Sequence, residues 1–243
     1  KKKNNFNISV PPIHNKKVLH KNIQRALWRK KFNLKNKDIA LIHVSPLPYS
    51  GNRRLGLGSP RESDIFNIEN KFLLLYNILK IKTYYKRYPA NRFPNIFKLE
   101  SLFYQYKNIK FIGDMDYRYL RSAFDIIVTG TLTSTFSWCI SADKPLIYFD
   151  SNTVYPVADE NLRRSIENSV FYINIDNKNW EIELLRYLKL PYKELMNEWK
   201  NKSEYRKIFI KEYIFSDVNM TGYKSAKFLN KIIQLNNSGF KYN

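Results

Sequence analysis

The chain has 243 residues, 44% of them apolar and 16% aromatic, too much buried-type surface for an intrinsically disordered segment. Lys and Arg number 42 against 21 Asp and Glu, a net charge of +21 that attracts polyanions without choosing among nucleic acid, nucleotide phosphates and an acidic membrane face. A single cysteine, Cys139, excludes an internal disulfide, and three histidines leave no Cys/His cluster at zinc spacing, so neither metal nor cofactor is expected.

Residues 1–37 carry twelve basic side chains and no acidic one, with Pro11 and Pro12 interrupting the run, and read as a basic N-terminal arm. Within it, Leu19, Ile23, Ala26 and Leu27 recur at helical spacing between Val18 and Phe32, the pattern of a linker helix or an amphipathic surface helix. The chain opens on Lys1 with no initiator Met and no charged-then-apolar leader, so further sequence is expected on its N-terminal side. No apolar run approaches the roughly 18 residues of a spanning helix.

From Asp38 the pattern alternates short β-type runs with helical ones. Strands are expected at 39–44, 81–87, 108–112, 125–129, 145–149 and 170–173, and helices at 68–79, 97–106, 117–123, 134–141 and 159–168. The strands are apolar at their centres, as required where helices cover both sheet faces, and the fold class that follows is α/β with a doubly wound parallel sheet. Residues 179–243 have a helical period, with Pro191 starting one segment, and read as a helical C-terminal tail packing on the same domain. The expected organisation is thus an arm at 1–37, a nucleotide-binding sheet domain at 38–178 and the tail.

Ligands of open parallel sheets bind outside the carboxyl ends of the strands, which directs attention to the loops there. After the first expected strand come Ser45, Asn52, Arg53 and Arg54 with Gly51, Gly56 and Gly58, small residues beside forked cationic donors. The second ends in Lys86, Arg87, Tyr88 and Pro89. The fourth runs into Thr131, Thr133, Ser134 and Thr135 at a helix start, where free amides and hydroxyls favour an anion, although N-capping explains the same hydroxyls. His43 lies inside a strand and reads as a core histidine, while Asp114 and Asp116 read as turn and capping residues. No Ser/His/Asp order or nucleophile elbow is present.

The run DIIVTGTLTSTFSWCISADKPLIYFD, Asp125 to Asp150, resembles the C-terminal half of GT-B glycosyltransferases, and more narrowly surface-polysaccharide transferases and CDP-glycerol glycerophosphotransferase-like enzymes. Ser134–Thr135 and Lys144–Pro145 stand at the family spacing, Lys86 to Pro89 is similar to its Lys-x-His-Pro turn, and the segment 152–172 with Arg163 resembles the helix after its nucleotide-facing loop. The resemblance implies a Rossmann-like donor-binding domain for a nucleotide-linked sugar or polyol phosphate. Its phosphates would meet Ser45, Asn52, Arg53, Lys86, Arg87, Thr133, Ser134, Thr135 and Arg163, and a glycan would accept the transferred group. It also implies a cytoplasmic enzyme peripheral to the inner membrane face and an absent N-terminal domain that supplies the acceptor-side base, so no catalytic residue is assigned; the twelve cations of the arm themselves suggest membrane-surface or interdomain docking rather than donor binding. Trp138 stands where the family has a ribose-binding Glu, and is read as core. The rival reading from another class is a basic nucleic-acid-binding module without catalytic activity; its weakness is that the aromatics fall mostly at expected core positions. A catalytically dead partner subunit is the third.

Overall fold

The structure, a computed structural model, describes residues 21–45, 62–86, 105–113, 115–130, 132, 134–152, 157, 159–214, 226–227, 229–230 and 233–234. It divides the chain into a unit of residues 17–206 and a second of residues 1–16 with 207–243. In the larger unit, strands β1 (Ala40–Val44), β2 (Lys82–Lys86), β3 (Ile109–Phe111), β4 (Ile126–Gly130), β5 (Leu146–Asp150) and β6 (Phe171–Asn174) form one parallel sheet in the order β3-β2-β1-β4-β5-β6. Each expected strand is present within a residue or two of its limits. The reason is legible in burial: every residue of β1, β4 and β5 is buried, so their apolar runs carry no alternation and were bounded by turn residues alone.

Helices follow the strands: α1 (Lys21–Lys31) precedes the sheet, and α2 (Glu62–Ile78), α3 (Tyr117–Leu120), α4 (Ser134–Ile140), α5 (Glu160–Ser169), α6 (Trp180–Lys189) and α7 (Tyr192–Asn201) come after it begins. The helix expected at 97–106 falls, but for its last two residues, outside the described residues. On one sheet face, Phe72 of α2 packs on Phe149 of β5 and Trp180 of α6, with ring centroids 4.7 and 5.0 Å apart. On the other, Phe32 packs on Tyr84 and Phe124, and Phe136 of α4 on Tyr148. The tail expected at 179–243 is partitioned: α6 and α7 cover Phe171 of β6 through Tyr187 and Trp199, whereas residues 207–243 are assigned to the smaller unit. No described helix is long and apolar enough to cross a membrane.

Two helices end the same way. The Leu34 amide donates to Arg29 O after α1, and the Ile81 amide to Tyr76 O after α2, with Asn33 and Lys80 at φ 54° between. This is the left-handed C-cap that glycine usually occupies. Asparagine tolerates it, whereas a lysine there carries a Cβ cost of about 1 kcal/mol.

The arm is only partly an arm. Helix α1 belongs to the larger unit because Arg25 and Arg29, one turn apart, reach the start of β4. Arg25 Nη2 donates to Asp125 Oδ1 at 2.6 Å and Nη1 to Ser122 O at 2.9 Å; Arg29 Nη1 donates to Asp125 Oδ2 at 3.1 Å and to Ala123 O at 2.9 Å. Arg29 Nη2 donates to the carbonyls of Lys35 and Asp38, and Asp125 Oδ2 also accepts the Ala40 amide at 3.0 Å. Arg29 and Asp125 are both 3% exposed in their side chains. We expect Asp125→Ala to lower stability by about 3–5 kcal/mol, since it strands a buried guanidinium and the first amide of β1. Chemical denaturation measures it; a loss below about 1 kcal/mol would mean that solvent replaces the carboxylate there.

Candidate functional site

Beside β1 the chain order of the sheet reverses: β2 and β3 lie on one side, β4 to β6 on the other. Such a switch point opens a crevice at the carboxyl edge of the two central strands. Three strand ends are joined there. The Ser45 amide donates to Lys86 O at 2.8 Å, tying β1 to β2, and Thr129 Oγ1 donates to Val44 O at 2.9 Å, tying β4 to β1. Because β1 sits between β2 and β4 and all run parallel, Ser45, Lys86 and Gly130 end on one edge.

Beneath this edge lies a polar chain that the sequence reading did not assemble. Ser45 Oγ donates to Glu69 Oε1 at 3.4 Å, and Glu69 Oε2 stands 2.9 Å from His43 Nε2, close enough for an ionic contact but off the line of a hydrogen bond. Both side chains are fully buried. His43 Nδ1 pairs with Tyr76 Oη at 2.9 Å. Burial and the Glu69 charge push the Tyr76 hydroxyl well above its ordinary value, so it stays protonated. The imidazole is stacked between Tyr85 and Phe149, at 5.3 and 5.8 Å. His43 is therefore a core histidine, and its partner was readable: Glu69 interrupts the apolar stripe Ile65, Phe72, Leu73 and Tyr76 on the buried face of α2.

The sequence-derived contacts fare differently at this edge. Asn52, Arg53, Arg87 and Thr133 lie outside the described residues, as do most of the loops that carry them. Ser45 is 2% exposed, its hydroxyl turned toward Glu69. Lys86 is buried and donates from Nζ to Gly113 O at 3.2 Å, across the ends of β2 and β3. Ser134 is the first residue of α4, and Thr135 is half-buried in the first turn. Arg163 is engaged within the fold: Nη2 donates to Asn152 Oδ1 at 2.6 Å and Val157 O at 3.1 Å, Nη1 to Glu160 Oε2 at 3.4 Å, and Nε lies 3.3 Å from Asp150 Oδ2. Tyr172 Oη also donates to Asp150 at 2.7 Å, yet burial holds that carboxyl above its ordinary range. Arg163 thereby ties α5 to Asp150, Asn152 and Val157.

Trp138 is 6% exposed, in the core as expected, with the Arg121 guanidinium 4.7 Å from its ring centroid. Cys139 is buried and its thiol pushed up to about 12, which removes it as a nucleophile at neutral pH. Among the described residues no group of three or more His, Cys, Asp and Glu could hold a metal ion.

Strand order, switch point and helices on both faces define a doubly wound, Rossmann-like α/β protein. No family model matches the chain, and no curated protein matches it. Among solved structures it is similar to WaaG, a glycosyltransferase involved in lipopolysaccharide biosynthesis, at 14% identity over 86% of this chain and 53% of that one, with a TM-score of 0.49. A glycosyltransferase from Rickettsia africae is similar at 15% identity over 88% and 53%, TM-score 0.49, and the wall teichoic acid polymerase TagF at 13% over 88% and 49%, TM-score 0.47. The chain spans about half the length of each, and at these identities the likeness concerns the fold alone.

Gly130 gives a direct test of how this edge is packed. A Cβ on it would stand 2.3 Å from Phe149 Cε2, so Gly130→Ala must displace the ring that stacks on His43. We expect a loss of about 1–3 kcal/mol in denaturant unfolding, as for other overpacked cores, largely recovered in the double variant with Phe149→Leu. Independent, additive effects of the two substitutions would contradict the packing described.

Proposed function

We propose that the chain is the donor-binding half of a GT-B glycosyltransferase, or of a glycerophosphotransferase of similar build, acting in surface-polysaccharide synthesis. The observation that carries the reading is the junction of the β1, β2 and β4 ends at the switch point, with the hydroxyl-rich start of α4 directly beyond Gly130. The resemblance of Asp125 to Asp150 to that family and the printed roles of WaaG and TagF support it.

On this reading the donor's pyrophosphate meets the amides and hydroxyls of Thr133, Ser134 and Thr135, with Arg53, Lys86 and Arg87 as the neutralising cations. Departure of the nucleoside diphosphate builds negative charge on its phosphates, and fixed cations and helix amides stabilise that charge without reorganising. Ser45 and Asn52 would add donor contacts from the segment after β1, whereas the donors of Arg163 are engaged with Asn152, Val157 and Glu160. The acceptor-side base comes from a domain N-terminal to this one, and residues 1–37 bring cations to an anionic inner membrane face. The nucleic-acid reading is weakened by burial: Phe72, Tyr76, Tyr85, Phe136, Tyr148 and Phe149 are all core side chains, so they offer bases no stacking platform.

Calorimetric titration with CDP, UDP and GDP tests the proposal. Ser134 lies inside the first turn of α4, so Ser134→Ala should leave the helix intact and weaken nucleotide binding about fivefold, the worth of one hydrogen bond of about 1 kcal/mol. Ser134→Asp suits a helix start equally well, yet its charge opposes a diphosphate and should weaken binding more than alanine does. Equal affinities for parent and Ser134→Asp would place the diphosphate elsewhere, and no binding of any nucleotide would remove the donor reading.

A further inference from the structure

In a parallel sheet every strand begins on one edge, so residues that precede strands gather there whatever their distance in sequence. Over the half of the sheet formed by β3, β2 and β1, that edge is lined by Lys35, Lys37, Lys80, Lys82 and Lys107, all exposed. The acid facing them from these segments is Asp38. It is satisfied within the fold: Lys82 Nζ donates to Asp38 Oδ2 at 2.8 Å and the Lys35 amide to the same oxygen at 2.9 Å, holding the carboxyl below its ordinary range. Helix α1 runs along this edge through Arg29, whose guanidinium donates to the carbonyls of Lys35 and Asp38, and it adds the exposed Lys30 and Lys31. Asp125, before β4, is buried under Arg25 and Arg29, and the exposed Asp143 stands before β5, outside the half of the sheet formed by β3, β2 and β1.

Aliphatic side chains stand among these cations with their surface in water: Leu27 on α1 is 63% exposed, Ile78 at the end of α2 is 61%, and Ile39 before β1 is 38%. Lys80 adds a separate observation. It holds a left-handed backbone, φ 54°, where glycine is the easy residue, so a charged side chain is kept at this spot against its local conformational preference.

We propose that this amino edge of the sheet, together with the outer face of α1, is a docking surface for an anionic lipid bilayer. Lysines interleaved with exposed aliphatics match an interface in which ammonium groups meet lipid phosphates while apolar tips enter the acyl boundary. Leucine and isoleucine cannot stack on bases, which favours lipid over nucleic acid as the polyanion. The inference extends the membrane role proposed for residues 1–37 from the arm to the folded edge, and it orients the donor edge away from the lipid.

The test is sedimentation of the full chain with vesicles of phosphatidylcholine, alone and mixed with phosphatidylglycerol, at low and physiological salt. The parent should partition onto the anionic vesicles only, and less as salt rises. The edge variant Lys35→Gln, Lys37→Gln, Lys80→Gly and Lys107→Gln keeps all the charges of residues 1–31. Each surface cation is worth roughly 1 kcal/mol at an anionic leaflet, so partition should fall more than about tenfold. Its melting temperature should not fall, because Lys80→Gly relieves the left-handed backbone, and Lys80→Gly alone should bind less while melting no lower. Leu27→Ser should weaken binding with the charge unchanged. An edge variant that partitions like the parent, while neutralising residues 1–21 abolishes binding, would confine docking to the arm and overturn the inference. A parent that ignores anionic vesicles would overturn the membrane role altogether. Equally tight binding of a DNA duplex through the same lysines would make the edge a nucleic-acid surface instead.

Discussion

A carboxylate that is buried where a strand begins must be neutralised inside the fold, and Asp125 sets that condition for the larger unit. Its two oxygens take both arginines of α1 and the first amide of β1, so a single side chain joins the helix before the sheet to the two strands that flank the switch point. Burying an ion pair of this kind gains little net free energy against an apolar replacement, because desolvation offsets the attraction. What it supplies is direction. The guanidinium of Arg29 is satisfied only when α1 lies across Ala123, Lys35 and Asp38 at once, and few alternative packings of a basic amphipathic helix meet that requirement.

At the opposite end of the same strands the polar chain of Ser45, Glu69, His43 and Tyr76 plays the matching part. Strand β1 is thus held at both ends by buried polar groups, with a purely apolar middle of Leu41 and Ile42. The two devices differ in what surrounds them. Asp125 is wrapped in donors, whereas His43 is wrapped in rings, and the ring of Phe149 reaches it only because residue 130 has no side chain. Gly130, the last residue of β4, is thus required by the core beneath the carboxyl edge.

Much of the fold was legible because β1, β4 and β5 are buried throughout, mostly apolar, and end at turn residues, which made their number and parallel arrangement readable without their order. The edge strands followed from the same spacing. Long-range polar pairs were harder to see. Arg25 and Arg29 appeared among twelve cations as solvated charge, because nothing local marks two of them as partners of a residue about a hundred positions away. Glu69 was in principle readable as an acid within an apolar helix stripe, and His43 as a histidine within an apolar strand, but their pairing needs the sheet. Arg163 illustrates the converse. A cation after a ligand-edge strand looks available for phosphate, yet its donors are engaged with Asn152, Val157 and Glu160.

The polarity of a parallel sheet gives these observations a common cause. Residues before strands and residues after strands are sorted to opposite edges, so one short strand separates two chemistries. In this chain lysines and aliphatics precede β1 to β3, while hydroxyls, glycine and buried polar pairs follow β1 and β4. A five-residue strand such as β1 sets the edges roughly 17 Å apart at about 3.3 Å per residue. That exceeds the Debye length of about 8 Å at physiological salt, so exposed lysines at the amino edge exert little pull on a phosphate at the carboxyl edge. On the proposed reading a donor diphosphate would feel the cations of its own edge and a lipid surface those of the other, so the two proposed ligands would not draw on the same cations.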